Sequence, residues 1–439
     1  MFALNYLYFF VLHMLLLDFL RKRQQVMCPA FARQGKEIFS GREAFAIVLI
    51  STGVLALAAP AGLDLMALRL LVLEVLCIGA LCSGSASSAK NAFVWIYALF
   101  LCWVLMGVAY SPVPAYGVRV FLKYLYVLPL CMMCSALVRR DTVAYKACEI
   151  SRKLSFIAFI WAMLPFVMLI FPGVFWYSTA LAINYITMAV LSLCLYWHMG
   201  HRKQDLYWAI FFCIPCIIWV FRTSIMGTTL AMMTLFFFRY KLKALPVAFG
   251  VLVAFIGAVF FIPSIKEKMF IDSSGASVSQ LQSGQISFDQ INSNGRFAMW
   301  EWSLEKFFSP APFTGSGSGN LQEVFYALKH PFGTIRICHN DYVQILCDNG
   351  LIGIILFASA GLSLIAHSFV VYQGKRHSAA VRICAATAGA GMAGTMLTLY
   401  TDNVINYSMC TIGYPVAFYG MMLGLLKAER RNRRALQQP

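Results

Sequence analysis

A histidine stands where a polar segment meets a long apolar run, in the sequence RICHNDYVQILCDNG at residues 336–350. Apolar residues dominate most of the chain, so a titratable side chain at this junction is a candidate for chemistry. An imidazole can accept a proton from a hydroxyl group near neutral pH. His339 is therefore the first candidate for chemistry in a sequence that otherwise consists of predicted membrane helices.

A second chemical feature is the run FRTSIMG at residues 221–227, which lies between two apolar stretches. Thr223 or Ser224 can cap the helix that follows, and the N–H groups of that helix end would then face the space around Arg222. A guanidinium beside a helix N-terminus suits a phosphate group. The alternative is that Arg222 only extends from the membrane interface to water.

Two further cations, Arg119 and Lys123, are four residues apart and therefore lie on one face of a predicted helix. Lys123 is expected about one turn deeper in the membrane, where an ionisable group indicates function. Its partner is then a ligand phosphate, or it forms a structural ion pair with Glu74 or Asp64.

Asp402 is the acidic side chain expected on the same side, in the tight turn 401–404. It either orients His339 or a substrate hydroxyl, or it makes the turn. The predicted outer segments contain no Asp-x-Asp motif and no His/Cys metal spacing. We therefore expect phosphate charge to be neutralised by Arg and Lys side chains, without a metal ion or other cofactor.

The elements that must position these residues are membrane helices. Hydrophobic residues make up 60% of the chain, charged residues 12%, and the mean hydropathy is +0.73. The sequence predicts an all-α polytopic membrane protein with about twelve spans. These are 44–60, 64–84, 91–109, 117–137, 154–172, 180–198, 206–221, 223–239, 244–262, 342–372, 380–400 and 404–426.

The distribution of basic residues predicts the orientation. Most Lys and Arg lie at alternate helix ends, which puts those ends in the cytoplasm and Arg222, Asp402 and the loop 263–340 outside. The net charge of +17 then reflects attraction to anionic lipid, and we expect no nucleic-acid partner. Whether segment 1–20 spans is left open. The predicted units are 1–43, 44–262, 263–340, 341–426 and the basic cytoplasmic tail 427–439.

The large outer loop 263–340 divides into three parts. Residues 272–294 are rich in Ser and Gln, 295–309 carry apolar groups at helical spacing, and TGSGSGN at 314–320 forms a glycine-rich turn. A short helical stretch, 321–329, follows. The sequence predicts a lid in which the amphipathic helix lies on the membrane and the glycine-rich turn is flexible.

Four ordered motifs over roughly 117–365 resemble the O-antigen ligase/polymerase superfamily of bacterial membrane glycosyltransferases. They are F-R-T-S at 221–224, with Phe where Ser is usual, G-R-x-x-x-W at 295–300, P-x-x-G-x-G-x-G-N at 312–320, and H-N-x5-L-x3-G at 339–350. The resemblance implies a GT-C-like enzyme that transfers a glycan from undecaprenyl pyrophosphate to an acceptor hydroxyl on the periplasmic face of the inner membrane, with inversion.

The resemblance also implies roles for individual residues. His339 would be the catalytic base toward a sugar hydroxyl of lipid A–core, and pyrophosphate would be held by Arg222, Arg119, Lys123 and Arg336. Supporting or acceptor-side roles fall to Asn340, Asp402 and Arg296.

Several members of the superfamily fit these motifs to different degrees. One dominant outer loop that ends in the H-N motif favours the ligase over the polymerase, which joins repeat units. A protein O-oligosaccharyltransferase is not expected, because that family tends to carry a larger periplasmic portion near its C-terminus. Here the predicted span 404–426 is followed by the basic segment 427–439. A lipid-linked sugar transporter or flippase is a further alternative, although internal repeats are absent from the sequence.

Overall fold

The computed structural model describes residues 39–57, 72–75, 91–163, 178–218, 222–246, 249–250, 253, 257, 260–261 and 296–437. Within these ranges the backbone forms helices and turns and no β-strand, which confirms the predicted all-α class. The segments 1–38, 272–294 and most of 64–84 and 244–262 lie outside the described residues.

Thirteen α-helices are labelled here within those ranges. They are α1 Gly41–Ser51, α2 Ala92–Ala109, α3 Pro114–Leu125, α4 Val127–Leu137, α5 Asp141–Met163, α6 Ser178–His198, α7 Lys203–Ile218, α8 Arg222–Tyr240, α9 Arg296–Ser303, α10 Asn320–Tyr326, α11 Asp341–Gln373, α12 Ala379–Thr398 and α13 Gly413–Gln437. Short 3₁₀ turns occupy Thr52–Leu57, Lys241–Ala244 and Val404–Tyr407, and a π-helical turn, Leu304–Phe308, extends α9.

Five of the described helical segments are long and apolar enough to cross a membrane: Ala92–Ala109, Pro114–Leu137, Ala180–His198, Asp341–Gln373 and Ala379–Thr398. Each coincides with a predicted span to within a few residues. The chain is a multi-pass membrane protein. The total of twelve spans stays a prediction.

The longest predicted span is divided by a break in the backbone. Gly350 lies inside α11 with φ 64° and ψ −167°, which is not helical. At this point the N–H of Leu351 donates to the carbonyl of Pro312 at 2.8 Å, so the loop before α10 inserts into the helix. The break gives α11 a short polar first part and a long apolar second part.

The last helix differs from the prediction at both ends. Residues 404–412 form a 3₁₀ turn and further turns, and α13 begins at Gly413, two residues before Pro415. Proline in the first turn of a helix loses no intrahelical hydrogen bond. The helix then continues to Gln437 and includes most of the predicted cytoplasmic tail.

The core of the described part is built around α12, which contacts α6, α8, α11 and α13. Ala and Gly residues line this helix, and nearly all are buried. A Cβ atom added to Gly394 would lie 2.5 Å from the carbonyl oxygen of Gly227 on α8. Small residues allow such close helix contact within a membrane. The arrangement brings the end of α12 to the same side as the beginnings of α8 and α11.

Candidate functional site

His339 lies directly before α11 in an unusual backbone conformation. Its φ is 52°, in the left-handed region that residues other than glycine seldom adopt. Its N–H donates to Oδ1 of Asn403 at 2.6 Å, which holds the residue against the turn after α12. Backbone strain at a polar site supports a functional interpretation, since it persists only where the surroundings enforce it.

Asp402 contacts the imidazole. Its Oδ1 lies 3.3 Å from Nδ1 of His339, and the side chains are 14% and 30% exposed. The same carboxylate accepts a hydrogen bond from the N–H of Asn403 at 2.8 Å. The two roles considered for Asp402, turn former and partner of His339, are therefore compatible. A carboxylate at Nδ1 favours the tautomer in which Nε2 has the free lone pair.

Asn403 joins this pair to the first turn of α11. Its Nδ2 donates to Oδ1 of Asp341 at 3.2 Å and to Oε1 of Gln344 at 3.1 Å. All three side chains are at least nine-tenths buried. Asn340 is also buried, and its side chain caps α11 by accepting from the N–H of Val343 at 3.0 Å. Asn340 therefore supports the position of His339 by fixing where the helix begins.

Sequence reasoning missed Asp341 and Gln344. A signal was available, because Asp341, Gln344 and Asp348 follow one another at helical spacing along one face of an otherwise apolar helix. Polar side chains on such a face point to the interior of a helical bundle.

The G-R-x-x-x-W motif holds the His339–Asp402 pair from two directions. Nη1 of Arg296 donates to the carbonyl of Thr401 at 2.7 Å, and the indole N–H of Trp300 donates to the carbonyl of Cys338 at 2.9 Å. Each contacted carbonyl belongs to the residue directly before one member of the pair. Burial lowers the pKa of Arg296 below its usual value, and the negative charge of Asp402 offsets part of this shift. Arg296 thus belongs to the site as a positioning residue.

The F-R-T-S motif reaches the same turn through its threonine. The hydroxyl of Thr401 donates to Oγ1 of Thr223 at 2.7 Å. Helix α8 already includes Arg222, so Thr223 and Ser224 lie in its first turn rather than at the capping position we had expected. The predicted phosphate-binding helix end is therefore adjacent to the turn that holds Asp402. The side chain of Arg222 lies outside the described atoms.

Lys123 has a neutral partner that the sequence did not suggest. Its ammonium group donates to Oδ1 of Asn406, which also accepts from Nε2 of Gln322 at 3.2 Å. The Oε1 atom of Gln322 is buried and has no hydrogen-bond partner in the described part of the chain. Asn406 belongs to the 3₁₀ turn Val404–Tyr407, which follows Asp402 in the chain. Through Lys123 and Gln322 this turn contacts α3 and α10.

Arg119 and Arg336 are exposed and lie at opposite ends of a row of aromatic rings. The guanidinium of Arg119 lies 5.7 Å from the ring centroid of Tyr116, and that of Arg336 lies 5.5 Å from Tyr326. The two tyrosine rings are 6.1 Å apart. These cations are therefore close to one another at the surface, although their predicted role in holding pyrophosphate stays a prediction.

The structure corrects the prediction of a flexible glycine-rich turn. The N–H of Gly317 donates to the carbonyl of Asp348 at 3.1 Å, and those of Gly319 and Leu321 donate to its carboxylate, both at 2.9 Å. A Cβ atom on Gly317 would lie 2.5 Å from Cα of Ser111. The lack of a side chain on glycine permits this close backbone approach. It fixes the turn between α2 and α11, so the turn is part of the frame.

All four motifs thus meet around the start of α11 and the turn after α12. The sequence model of the O-antigen ligase family matches residues 221–358, a range that contains His339, the glycine-rich turn and the F-R-T-S threonine. This match supports membership of the O-antigen ligase/polymerase superfamily. A search of curated proteins finds no match to the chain.

The family match indicates the general chemistry of the site. A superfamily of O-antigen ligases and polymerases implies a membrane glycosyltransferase-like enzyme, with lipid-linked glycan and lipid A–core as its general classes of substrate. The geometry of this O-antigen ligase domain adds a partly exposed imidazole, a carboxylate at one of its nitrogens, and cations on several sides.

Replacing Asp402 by Asn tests whether the carboxylate supports the candidate site through its charge. The amide oxygen can still accept from Asn403, so we expect an unchanged melting temperature in detergent. The rate of glycan transfer should fall about tenfold or more, because Nδ1 loses its anionic partner. A variant that transfers at the normal rate would reduce Asp402 to a turn former.

Proposed function

We propose that this protein is an O-antigen ligase that transfers a glycan from undecaprenyl pyrophosphate to a sugar hydroxyl of lipid A–core, on the periplasmic face of the inner membrane. The observation that carries the proposal is the contact between Nδ1 of His339 and Asp402, which leaves Nε2 of a partly exposed imidazole available as a base. The match to the O-antigen ligase family supports the general reaction class.

In the proposed reaction, Nε2 of His339 takes the proton of the acceptor hydroxyl. The acceptor oxygen then forms a bond to the anomeric carbon from the face opposite the pyrophosphate, and the bond between that carbon and the pyrophosphate oxygen breaks. The configuration is inverted, and undecaprenyl pyrophosphate leaves. General-base catalysis of this kind contributes about 10²–10⁴-fold in rate.

The leaving group gains negative charge, which nearby cations can stabilise. We propose Arg222 as the main pyrophosphate ligand, because its helix begins beside the turn that holds Asp402. Arg119, Arg336 and Lys123 lie on the side of α3 and α10 and are proposed to bind the same anion as it enters or leaves. Cationic side chains then perform the charge neutralisation that other enzymes assign to a divalent metal.

A lipopolysaccharide gel from cells that lack this gene tests the assignment. The cells are re-supplied with wild type, with His339→Asn, or with His377→Asn as a control. His377 also contacts a carboxylate, Glu429 at 2.8 Å, but at a distant point in the chain. Bare core in the His339 variant, with long glycans retained on undecaprenyl pyrophosphate, supports the ligase.

Two other gel patterns contradict the ligase assignment. Core that carries a single repeat unit identifies the protein as the polymerase, whose acceptor is another lipid-linked glycan. A normal ladder in cells without the gene would argue against surface-glycan assembly and favour the transporter hypothesis.

Replacing Arg222 by Lys tests how the pyrophosphate is held. The planar guanidinium can donate two parallel hydrogen bonds to phosphate, whereas an ammonium group offers a point charge. We therefore expect Arg222→Lys to lower the transfer rate by roughly tenfold or more, although the charge is kept. If Arg222→Lys is fully active and Arg222→Ala is inactive, charge alone suffices and the bidentate contact is refuted.

A further inference from the structure

A cavity of about 430 Å³ lies at the far end of the helices that support the candidate active site. Its lining comes from the last residues of α6, α8 and α11 and from the first turn of α12. Helix α8 begins beside Asp402 and ends at this cavity, and its 19 residues span about 28 Å. The cavity is therefore separate from the His339 site and lies across the bundle from it.

Positive charge without acidic neighbours characterises the lining. Arg239, Lys375 and Arg382 supply this charge, and among the described residues the lining includes no Asp or Glu. Within the described residues, neither arginine forms an ion pair. Cations that converge without an acidic partner favour an anionic ligand.

Aromatic rings hold both guanidinium groups in place. Arg239 lies 4.4 Å from the ring centroid of Trp197, and its Nε donates to the hydroxyl of Tyr240 at 3.1 Å. Arg382 lies 5.1 Å from the ring of Tyr372, and its Nε donates to the carbonyl of that residue at 3.3 Å. Guanidinium groups oriented in advance lose less conformational entropy when they bind an anion.

The surroundings of the cavity resemble a membrane interface on the cytoplasmic side. Lys241 and Lys243, directly after α8, are exposed, as is Lys375 itself. Trp and Tyr side chains concentrate at interfaces, and clustered Lys and Arg next to a membrane helix attract anionic lipids. The positive-inside distribution of the sequence predicts the same side for this end of the bundle.

We propose that this cavity binds a phosphate anion through Arg239 and Arg382, and that an anionic phospholipid headgroup supplies it. The cavity has room for a headgroup, and the aromatic side chains Trp197 and Tyr240 provide the apolar border that a lipid-derived phosphate requires. The proposal does not depend on the reaction at His339. It assigns to the opposite end of the protein a lipid site that anchors α6, α8, α11 and α12 together.

The test uses the full chain in a neutral detergent, with the melting temperature as readout. Phosphatidylglycerol, phosphatidylcholine with the same acyl chains, and sodium phosphate are titrated separately. We expect phosphatidylglycerol to raise the melting temperature of the wild type far more than phosphatidylcholine does. A double variant, Arg239→Gln with Arg382→Gln, should require roughly 30-fold more phosphatidylglycerol for the same shift, at about fivefold per lost charge.

Lys306→Gln is the matched control. Lys306 lies 4.8 Å from the ring centroid of Trp302, so this substitution also removes a cation stacked on an aromatic ring, but in the extension of α9. Its phosphatidylglycerol response should equal that of the wild type. If sodium phosphate raises the melting temperature at least as much as phosphatidylglycerol does, the anion site is supported but the lipid is contradicted as its ligand, and a soluble phosphate takes its place.

Two results would overturn the proposal: equal responses to the two lipids, or an unchanged phosphatidylglycerol response in the double variant. If that variant does not fold, the wild type provides the same test. Phosphatidylglycerol should then slow the acetylation of Lys375, which lines the cavity, relative to that of the exposed Lys306. Equal protection of the two lysines would also refute the site.

Discussion

His339→Asn is expected to lower the rate of glycan transfer by about 10²–10⁴-fold in a purified system, because the acceptor hydroxyl loses its base. Asn is the sharpest replacement available here. His339 has a φ of 52°, and Asn adopts this left-handed region more readily than Ala or Gln. The backbone hydrogen bond to Asn403 can therefore persist, so the loss should be in turnover rather than in folding.

The control for this prediction is His377→Asn, which removes a second histidine that contacts a carboxylate. Transfer rates and melting temperatures of both variants are measured with the same lipid-linked donor and core acceptor. The base assignment fails if His339→Asn transfers at a near-normal rate. It also fails if the two histidine variants lose rate equally, since His377 lies away from the proposed reaction.

Gly350→Ala is expected to destabilise the fold by more than about 4 kcal/mol and to leave little folded protein. Gly350 has a φ of 64° and a ψ of −167°, a combination that is nearly confined to glycine. An added Cβ would also lie 2.6 Å from the N atom of Thr314 and even closer to the carbonyl of Phe313. Backbone on both sides of the contact prevents relief by a rotamer change.

Gly333→Ala separates backbone strain from this steric clash. Gly333 also has a φ of 64°, but a Cβ added there would meet no atom within 4 Å. We expect a cost of about 1–2 kcal/mol for the left-handed conformation alone. The yield of monodisperse protein and its melting temperature in detergent compare the two variants. Equal behaviour would show that the inserted loop at Pro312 and Phe313 can move away from α11.

The two predictions concern one structural unit. The break at Gly350 lets the loop that precedes the glycine-rich turn insert into α11, and the first part of α11 presents Asp341 and Gln344 to Asn403. Asn403 in turn fixes the backbone of His339. The glycine of the H-N motif thus contributes to the frame of the site, whereas its histidine is proposed to perform the chemistry.

Local sequence was sufficient for the described helices and for placing His339 at a helix boundary. Apolar runs predict the helix positions because a helix satisfies its own backbone hydrogen bonds inside a membrane. The observed bounds of α2, α6 and α12 agree closely with the predicted ones. The departure at α13 has a tertiary cause, since residues 404–412 are as apolar as a span but form turns in which the N–H of Ile405 donates to the distant Asp341.

The partners of the site residues were harder to predict. Charge complementarity suggested phosphate, Glu74 or Asp64 for Lys123, yet its ammonium group donates to the neutral amide oxygen of Asn406. Flexibility was expected of the glycine-rich turn because its composition is typical of mobile loops. Burial between α2 and α11 makes the same glycines the residues that permit close contact.

The sequence by itself indicated a helical membrane protein that resembles the O-antigen ligase/polymerase superfamily, with His339 at a helix boundary. The tertiary structure decided that Asp402, 63 residues away, contacts Nδ1 of that histidine, and that Arg296 and Trp300 hold the adjacent carbonyls. Periodicity and motif spacing predict the local structure of each segment taken by itself. Contacts between distant segments depend on how the helices pack. The sequence left the role of Asp402 open between partner of His339 and turn former, and the packing of α11 against α12 brings the two side chains into contact.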